Sequence, residues 1–243
     1  MFAEDEAQLL TAAASSDTEL EKMVQRRVTG LPLEHAIGWA DFCGIRVAVD
    51  EGVFVPRHRS ELLVREAVAR TGVGTVVVDL CCGSGALGAA LAAAVDRVEL
   101  HAVDVDLKAV ACARRNLDGE AQTVYEGDLF APLPSRLRGR VGTLVVNAPY
   151  VPSDEVELLP REARLYEALL ALDGGPDGLD VHRRVAAAAP AWLSPRGVLL
   201  IEVSEHQAAA AVALFVGAGL AAEVAKDDEI DATVVIGTAP AAS

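Results

Sequence analysis

Residues 76–88 constrain the fold more than any other part of this sequence. The segment opens with a largely apolar run, Val76–Leu80, and continues into Gly83-Ser84-Gly85-Ala86-Leu87-Gly88, which matches the pattern G-x-G-x-x-G. A short apolar run predicts a strand buried on both faces, and the glycines predict a tight turn that leads into a helix. A strand, a glycine turn and a helix in this order are typical of nucleotide-binding α/β folds.

Strand and helix patterns alternate through the rest of the chain. The last two predicted strands, residues 222–226 and 232–237, are separated by only a few residues, so they must pair antiparallel, because a parallel connection needs a dozen or more. The sequence therefore predicts an α/β fold: a Rossmann-like sheet that is mostly parallel and ends in a C-terminal antiparallel hairpin. The other predicted strands are residues 76–80, 98–103, 123–126, 143–146 and 198–203. The predicted helices between them include residues 86–94, 106–117 and 179–193, and Pro190 is expected to kink or end the last of these.

The part of the chain before the glycine turn divides into two predicted segments. Residues 1–29 carry apolar side chains at roughly helical spacing and are predicted to form a short N-terminal helical segment. Residues 30–59 are predicted to be a linker, in which apolar alternation indicates a β-hairpin. Residues 60–243 then form the α/β domain, and Ser60 is the predicted N-cap of its first helix.

Charge and composition exclude several classes of partner. Lys plus Arg number 21 against 36 for Asp plus Glu, and a formal charge of −15 repels a nucleic-acid backbone. Residues 1–10 lack the basic start of a secretory signal, and the longest uncharged apolar run, residues 208–222, is too short to span a bilayer. The 4 cysteines form neither a C-x-x-C pair nor a zinc pattern, so we predict no metal site and a reducing cytoplasm.

Two carboxylates indicate which nucleotide the glycine turn binds. Asp104 ends the next predicted strand, where a carboxylate accepts hydrogen bonds from ribose hydroxyls. Asp79 precedes the turn, where it would repel the pyrophosphate of a dinucleotide but attract the ammonium of S-adenosylmethionine. The turn therefore favours S-adenosylmethionine over a dinucleotide cofactor, with Asp79, Gly83, Gly85 and Asp104 as candidate cofactor-binding residues.

Asp128 is a further candidate at the same edge of the predicted sheet. It follows the third strand, where the amino group of an adenine ring needs an acceptor. An Asx turn, in which the carboxylate bonds to its own backbone, explains the residue equally well.

Asn147-Ala148-Pro149-Tyr150 ends the fourth predicted strand and forms the candidate catalytic site. The Asn147 side-chain oxygen and the Ala148 carbonyl could accept the two N–H groups of a planar amide or amine, and Asn147 would also contact the cofactor. Pro149 fixes the turn and lacks an N–H, while Tyr150 offers a flat face for stacking. Such acceptors stabilise the positive charge that develops on nitrogen during methyl transfer. Read alone, the tetrapeptide is a common turn; beside the nucleotide signals it predicts N-methylation.

Several segments of the chain, taken together, resemble a known family. They are residues 31–38, 53–57, 147–150 and 171–180, and residues 201–203 with Gln207. These segments resemble the release factor glutamine-N5 methyltransferases, which belong to the Asn-Pro-Pro-Tyr class of S-adenosylmethionine-dependent N-methyltransferases. The resemblance implies that the methyl acceptor is a glutamine side chain within a Gly-Gly-Gln tripeptide of a release factor. It also adds Cys81 and Leu129 to the cofactor-binding residues.

The chain departs from the family pattern at several places, including the following three. Cys81 stands where the family has the first glycine of the cofactor loop, Ala148 replaces the first proline of its signature, and the N-terminal helical segment is shorter than the family's. We therefore predict a divergent, monomeric cytoplasmic member. The alternatives are an N-methyltransferase of a small molecule or a nucleobase amine, a catalytically silent cofactor-binding relative, and a dinucleotide oxidoreductase.

Overall fold

The N-terminal part of the protein consists of helices followed by a small hairpin. The computed structural model describes residues 3–242. Helices α1 (Ala3–Ala13), α2 (Asp17–Val28) and α3 (Leu33–Ile37) precede an antiparallel hairpin of strands β1 (Trp39–Phe42) and β2 (Ile45–Ala48). The N-terminal helical pattern forms two helices because the Ser16 side chain accepts the Glu19 N–H and caps a new helix there.

The rest of the chain forms a seven-stranded sheet with helices on both faces. The strand order within the described residues is β5-β4-β3-β6-β7-β9-β8, with β3 to β7 parallel and β9 antiparallel to both of its neighbours. This confirms the predicted fold class and the C-terminal hairpin. The elements are α4 (Glu61–Val68), β3 (Val76–Leu80), α5 (Ala86–Ala94), β4 (Glu99–Asp104), α6 (Leu107–Asn116), β5 (Gln122–Glu126), β6 (Val141–Val146), α7 (Arg161–Tyr166), α8 (Asp180–Ala188), β7 (Leu193–Val203), α9 (Ala208–Gly217), β8 (Ala221–Asp227) and β9 (Ala232–Thr238).

Strand β3 lies near the middle of the sheet, and every one of its residues is buried. Val77 packs into the apolar cluster on the face covered by α4, α5 and α6, while Val78 and Leu80 pack into the cluster on the face covered by α8 and α9. Because successive side chains of a strand point to opposite faces, a strand covered on both sides is expected to be largely apolar. This explains why the glycine turn is preceded by an almost continuous apolar run.

The predicted helix over residues 179–193 ends before its predicted last residue, close to Pro190, which is expected to kink or end it. Helix α8 ends at Ala188, a 3-10 turn covers Ala189–Ala191, and β7 already begins at Leu193. Pro190 lacks an N–H and therefore cannot continue the helical hydrogen-bonding pattern. Leu193 instead pairs with Val141 of β6, so the last residue of the predicted helix belongs to the sheet.

The N-terminal helices pack on the loop that contains α7. Leu10, Leu31 and Leu33 are buried in a separate apolar cluster, and Tyr166 of α7 packs against that cluster. Arg27 of α2 forms ion pairs with both Glu6 and Glu162, which joins α1, α2 and α7. Across residues 3–242, no helix is both long and apolar enough to cross a membrane.

Candidate active site

A cleft of about 620 Å³ lies at the carboxyl ends of the parallel strands. Its floor comes from the loops after β3, β4, β5 and β6, and its roof comes from residues 52–60 and 159–172. In open α/β sheets this edge is where ligands bind. The glycine turn and the end of β6 share this cleft, and nine of the predicted site residues line it: Cys81, Gly83, Asp104, Asp128, Leu129, Asn147, Ala148, Pro149 and Tyr150.

Two predicted cofactor-binding residues, Asp79 and Gly85, lie beneath the cleft surface. The Asp79 side chain is fully buried, and its Oδ2 accepts a hydrogen bond from the Gly88 N–H at 3.0 Å. Burial raises the pKa of Asp79 to about 7, and Oδ1 has no partner among the described residues. Gly85 has φ +79°, and a Cβ there would lie 3.0 Å from a methyl carbon of Leu117. Both residues therefore shape the turn from below.

Asp104 is held rigidly against the glycine turn. Its Oδ2 accepts the Gly83 N–H at 2.8 Å, and its Oδ1 accepts the Asp106 N–H at 2.9 Å. Burial raises the pKa of Asp104, while these two backbone donors oppose that rise. Since each carboxylate oxygen can accept more than one hydrogen bond, the fixed group retains capacity for a hydroxyl in the cleft.

The carboxylate of Asp128 forms an ion pair with Arg184 of α8, and both residues line the cleft. An Asx turn would have directed the carboxylate to its own backbone, but here it faces a side chain from a distant helix. Leu129 follows in the left-handed region, with φ +48°. Arg184 is not among the predicted site residues, because nothing in the sequence pattern of α8 distinguishes the arginine that faces the cleft.

Cys81 adopts a backbone conformation that favours glycine. Its φ is +57°, in the left-handed region where a Cβ collides with the following carbonyl oxygen. Burial raises the pKa of its thiol, and the neighbouring Asp104 and Asp79 carboxylates raise it further. The thiol therefore stays protonated at neutral pH, and its side chain occupies part of the cleft wall.

Asn147 lies at the end of β6 with its carboxamide anchored on one side. Its Nδ2 donates to Ser60 Oγ at 3.0 Å, and no hydrogen bond found within residues 3–242 uses its Oδ1. Ser60 occupies the N-cap position of α4 as predicted, but its side chain makes no capping hydrogen bond. The expectation that its hydroxyl caps the helix is therefore wrong, because the hydroxyl bonds to Asn147 across the fold.

Tyr150 is fixed at its hydroxyl end. The hydroxyl donates to Glu202 Oε1 at 3.0 Å, and Arg59 Nε lies 3.3 Å from the same oxygen. The Arg59 guanidinium carbon lies 5.7 Å from the Tyr150 ring centroid. Burial raises the pKa of Tyr150, and the nearby Glu202 carboxylate adds to the effect, so the phenol stays protonated. The ring is consequently held in one orientation at the cleft.

The Asp-Gly-Gly segment after α7 supports the 147–150 turn from behind. A Cβ on Gly174 would lie 2.6 Å from the Pro149 carbonyl oxygen, and a Cβ on Gly178 would overlap the carbonyl oxygen of Tyr150. Gln207 Nε2 donates to the same Tyr150 carbonyl at 2.8 Å and to the Asp177 carbonyl at 3.0 Å. Gly174 and Gly178 are therefore required because the backbone of this segment lies directly against the backbone of the 147–150 turn.

Arg57 and Glu167 join the two halves of the roof. The Glu167 carboxylate is buried, and its Oε1 accepts hydrogen bonds from the Arg57 guanidinium and the Val55 N–H. Burial raises the pKa of Glu167, whereas Arg57 lowers it. Within residues 3–242, no three His, Cys, Asp or Glu side chains cluster closely enough to hold a metal ion.

Fold and site together define a class of protein. The sheet is mostly parallel, and a glycine turn follows its central strand. Carboxylates at the next two strand ends and an Asn-x-Pro-Tyr turn share one cleft with this turn. Together these are the features of Rossmann-like, S-adenosylmethionine-dependent methyltransferases. The family model "Methyltransferase small domain" matches residues 44–176.

Comparison with curated proteins specifies the family. A release factor glutamine methyltransferase from Geobacter sulfurreducens is 38% identical over 195 residues, which cover 79% of this chain and 68% of that protein. A second, from Streptomyces coelicolor, is 38% identical over 198 residues, which cover 80% of this chain and 70% of that protein. The chain belongs to the release factor glutamine methyltransferase family.

One similar protein has a different named substrate. The 4-amino-L-phenylalanine/4-methylamino-L-phenylalanine methyltransferase of Streptomyces pristinaespiralis is 36% identical over 203 residues, which cover 81% of this chain and 69% of that protein. Among solved structures, the T. thermophilus 16S rRNA N2 G1207 methyltransferase with AdoMet and guanosine aligns with a TM-score of 0.59 and 21% identity, over 83% of this chain and 49% of that one. At that identity the likeness supports the fold alone.

Proposed function

We propose that the protein transfers a methyl group from S-adenosylmethionine to the side-chain amide nitrogen of a glutamine in a release factor. The observation that carries the proposal is the orientation of Asn147. Its amide nitrogen bonds to Ser60, which leaves Oδ1 available in the same cleft that the glycine turn lines. Membership of the release factor glutamine methyltransferase family supports the choice of acceptor.

The residues at the β3 and β4 ends of the cleft fit the cofactor. A Cβ at Gly83 would meet no atom within 4 Å, so this part of the turn is open for a ligand. Asp104 would accept hydrogen bonds from the ribose hydroxyls, and Asp128 and Leu129 would contact the adenine. Cys81 would lie against the methionine end, and Asp79 and Gly85 would act by shaping the turn. When bound, S-adenosylmethionine supplies an electrophilic methyl group on a positively charged sulfur.

The 147–150 turn would hold the acceptor nitrogen. An amide nitrogen is a weak nucleophile because its lone pair is delocalised into the carbonyl group. Asn147 Oδ1 and the Ala148 carbonyl would accept its two N–H groups, and the Tyr150 ring would stack on the planar carboxamide. Fixed acceptors of this kind align the nitrogen and stabilise the positive charge that develops as the new N–C bond forms.

The proposal is tested with radiolabelled S-adenosylmethionine and a recombinant release factor. We expect label in the release factor with the wild-type enzyme, and none with the Asn147→Ala variant. A release factor whose Gly-Gly-Gln glutamine is replaced by alanine is the substrate control and should remain unlabelled. Transfer to that control, or equal transfer by Asn147→Ala, would contradict the assignment.

A small aromatic amine is the second candidate acceptor. The similarity to the 4-amino-L-phenylalanine methyltransferase favours it, and a cleft of about 620 Å³ is within the size range of small-molecule sites. The same assay with 4-aminophenylalanine separates the candidates, since turnover of the amine alone would replace the release factor as substrate. Calorimetric binding of S-adenosylhomocysteine without transfer to any member of an acceptor panel, nucleobase amines included, would instead support a catalytically silent relative.

A further inference from the structure

We infer that Ser60 is a positioning residue that fixes which end of the Asn147 carboxamide faces the methyl acceptor. The inference rests on the proposed function in one respect, namely that the acceptor nitrogen contacts Asn147 Oδ1. It concerns a residue that does not belong to the 147–150 turn and lies 87 positions away along the chain.

The Ser60 hydroxyl is committed to Asn147. The serine is only 1% exposed, and its Oγ accepts the Asn147 Nδ2 hydrogen bond at 3.0 Å. It occupies a helix N-cap position, where a serine ordinarily accepts a backbone N–H of the first turn. In this protein it makes no such bond, so the side chain has given up its usual local role.

The orientation matters because the two ends of a carboxamide have opposite hydrogen-bonding character. With Nδ2 bonded to Ser60, the oxygen is left to accept an N–H of the substrate. Without the Ser60 hydroxyl, the same orientation leaves an N–H donor of the half-buried Asn147 without its protein partner, which is unfavourable. The carboxamide can then lower its free energy by turning its NH₂ group toward the cleft. In that orientation the Asn147 NH₂ group and the N–H group of the methyl acceptor are both donors and cannot bond to each other. A serine hydroxyl is thus the device that keeps an acceptor at this point.

The turn that carries Ser60 is itself anchored on both sides. Arg57 pairs with the buried Glu167 in the roof, and Arg59 lies against Glu202, which also holds the Tyr150 hydroxyl. These contacts fix the backbone of the turn relative to both Asn147 and Tyr150. Because the backbone around Ser60 is held in place, the Ser60–Asn147 hydrogen bond fixes where the Asn147 carboxamide lies and which way it is turned.

The test compares Ser60→Ala, which removes the hydroxyl, with Ser60→Thr, which retains it. Thr71→Ala is the matched control, since Thr71 lies just beyond the other end of α4 and its hydroxyl bonds to Thr143 at 2.8 Å, away from the cleft. We expect Ser60→Ala to lower kcat by about ten- to a hundredfold, as for the loss of a hydrogen bond that matters in the transition state. The affinity for S-adenosylhomocysteine and the melting temperature should match those of Thr71→Ala. Ser60→Thr should restore most of kcat.

A second readout follows the Asn147 side chain directly and needs no substrate. The NMR signals of its NH₂ group are assigned by their absence in Asn147→Ala, and their exchange with solvent is measured. Exchange should be at least about tenfold faster in Ser60→Ala and unchanged in Ser60→Thr and Thr71→Ala. Wild-type exchange in Ser60→Ala, or an equal loss of kcat in Ser60→Ala and Ser60→Thr, would overturn the inference.

The two proposals fail in distinguishable ways. If the wild-type enzyme does not methylate a release factor, the proposed substrate is wrong, while the NH₂ exchange still decides whether Ser60 holds Asn147. If the release factor is methylated and Ser60→Ala behaves like the wild type in both readouts, only the positioning role of Ser60 is lost.

Discussion

At the scale of single residues, the Asp79 carboxyl group beneath the glycine turn makes the stability of the protein depend on pH. Its carboxyl group is fully buried, with Oδ2 on the Gly88 N–H and Oδ1 without a partner in the described structure. Burial raises its pKa from 3.8 to about 7, so the folded protein binds a proton that the unfolded chain releases between those values. The contribution of this residue to stability is therefore fully present below about pH 4 and is lost as the pH rises through 7.

We predict that Asp79→Asn removes this pH dependence. Asparagine keeps an acceptor for the Gly88 N–H but carries no ionisable proton. The free energy of unfolding of the variant should therefore lack the decrease between pH 4 and 7 that Asp79 causes in the wild type. Urea denaturation of wild type and variant at several pH values measures the difference, which isolates Asp79 from the other titrating groups. A difference that stays constant across this range would show that the carboxyl group is not perturbed.

Cys81 has a backbone conformation that glycine adopts without strain. We predict that Cys81→Gly raises the affinity for S-adenosylhomocysteine by up to about fivefold, roughly 1 kcal/mol, because the side chain no longer occupies the cleft wall. Cys43→Gly is the control, since Cys43 also has a left-handed backbone, φ +50°, but does not line the cleft. Relief of strain alone would change stability similarly in both variants, whereas only Cys81→Gly should change the calorimetric affinity. If wild type and Cys81→Gly bound S-adenosylhomocysteine with equal affinity, the Cys81 side chain would not hinder cofactor binding.

At the scale of elements, the 173–180 loop acts as a close-fitting support for the 147–150 turn. Gly178 packs against the Tyr150 carbonyl and Gln207, in a backbone conformation with φ +73°. Gly139 has a similar φ of +69°, but a Cβ there would meet no atom within 4 Å. The two glycines therefore separate the effect of backbone strain from the effect of close approach.

We predict that Gly178→Ala destabilises the protein by about 3 kcal/mol or more and abolishes methyl transfer, because strain and steric overlap add. Gly139→Ala should cost only about 1 kcal/mol, from strain alone, and leave transfer unchanged. Chemical denaturation and the release factor assay measure both quantities. If the two variants were equally stable and active, the loop would not support the turn.

At the scale of the whole molecule, the proposed cofactor side and the roof of the cleft are built from different parts of the chain. Glycine-turn and strand-end residues line the proposed cofactor side, whereas α7 in the roof rests on the N-terminal helices through Arg27. Arg27 bonds to Glu6, Glu162 and the Leu31 carbonyl, and Glu162 lines the cleft. The N-terminal helices should thus influence the acceptor more than the cofactor.

We predict that Arg27→Ala raises the acceptor KM several-fold and leaves the calorimetric affinity for S-adenosylhomocysteine unchanged. Arg70→Ala is a matched control, because Arg70 also bonds to two carboxylates, Glu66 and Glu223, and to one carbonyl, and it does not line the cleft. Each variant should lose only about 1 kcal/mol of stability, as expected for partly exposed ion pairs. An equal rise of KM in both variants would point to general destabilisation rather than to the roof.

Local sequence patterns were enough to predict the order of strands and helices along the chain, the glycine turn, and the placement of Asp104 and Asn147 in one cleft at the same edge of the sheet. These follow from local periodicity and from the rule that parallel strands end on the same side. The folded chain was needed to show that Ser60 bonds to Asn147, that Arg184 pairs with Asp128 and that Asp79 lies beneath the cleft surface. The two pairings join side chains that lie far apart in the chain, and the position of the Asp79 carboxylate depends on how the turn up to Gly88 packs around it. Contacts of these kinds leave no periodic pattern in the sequence.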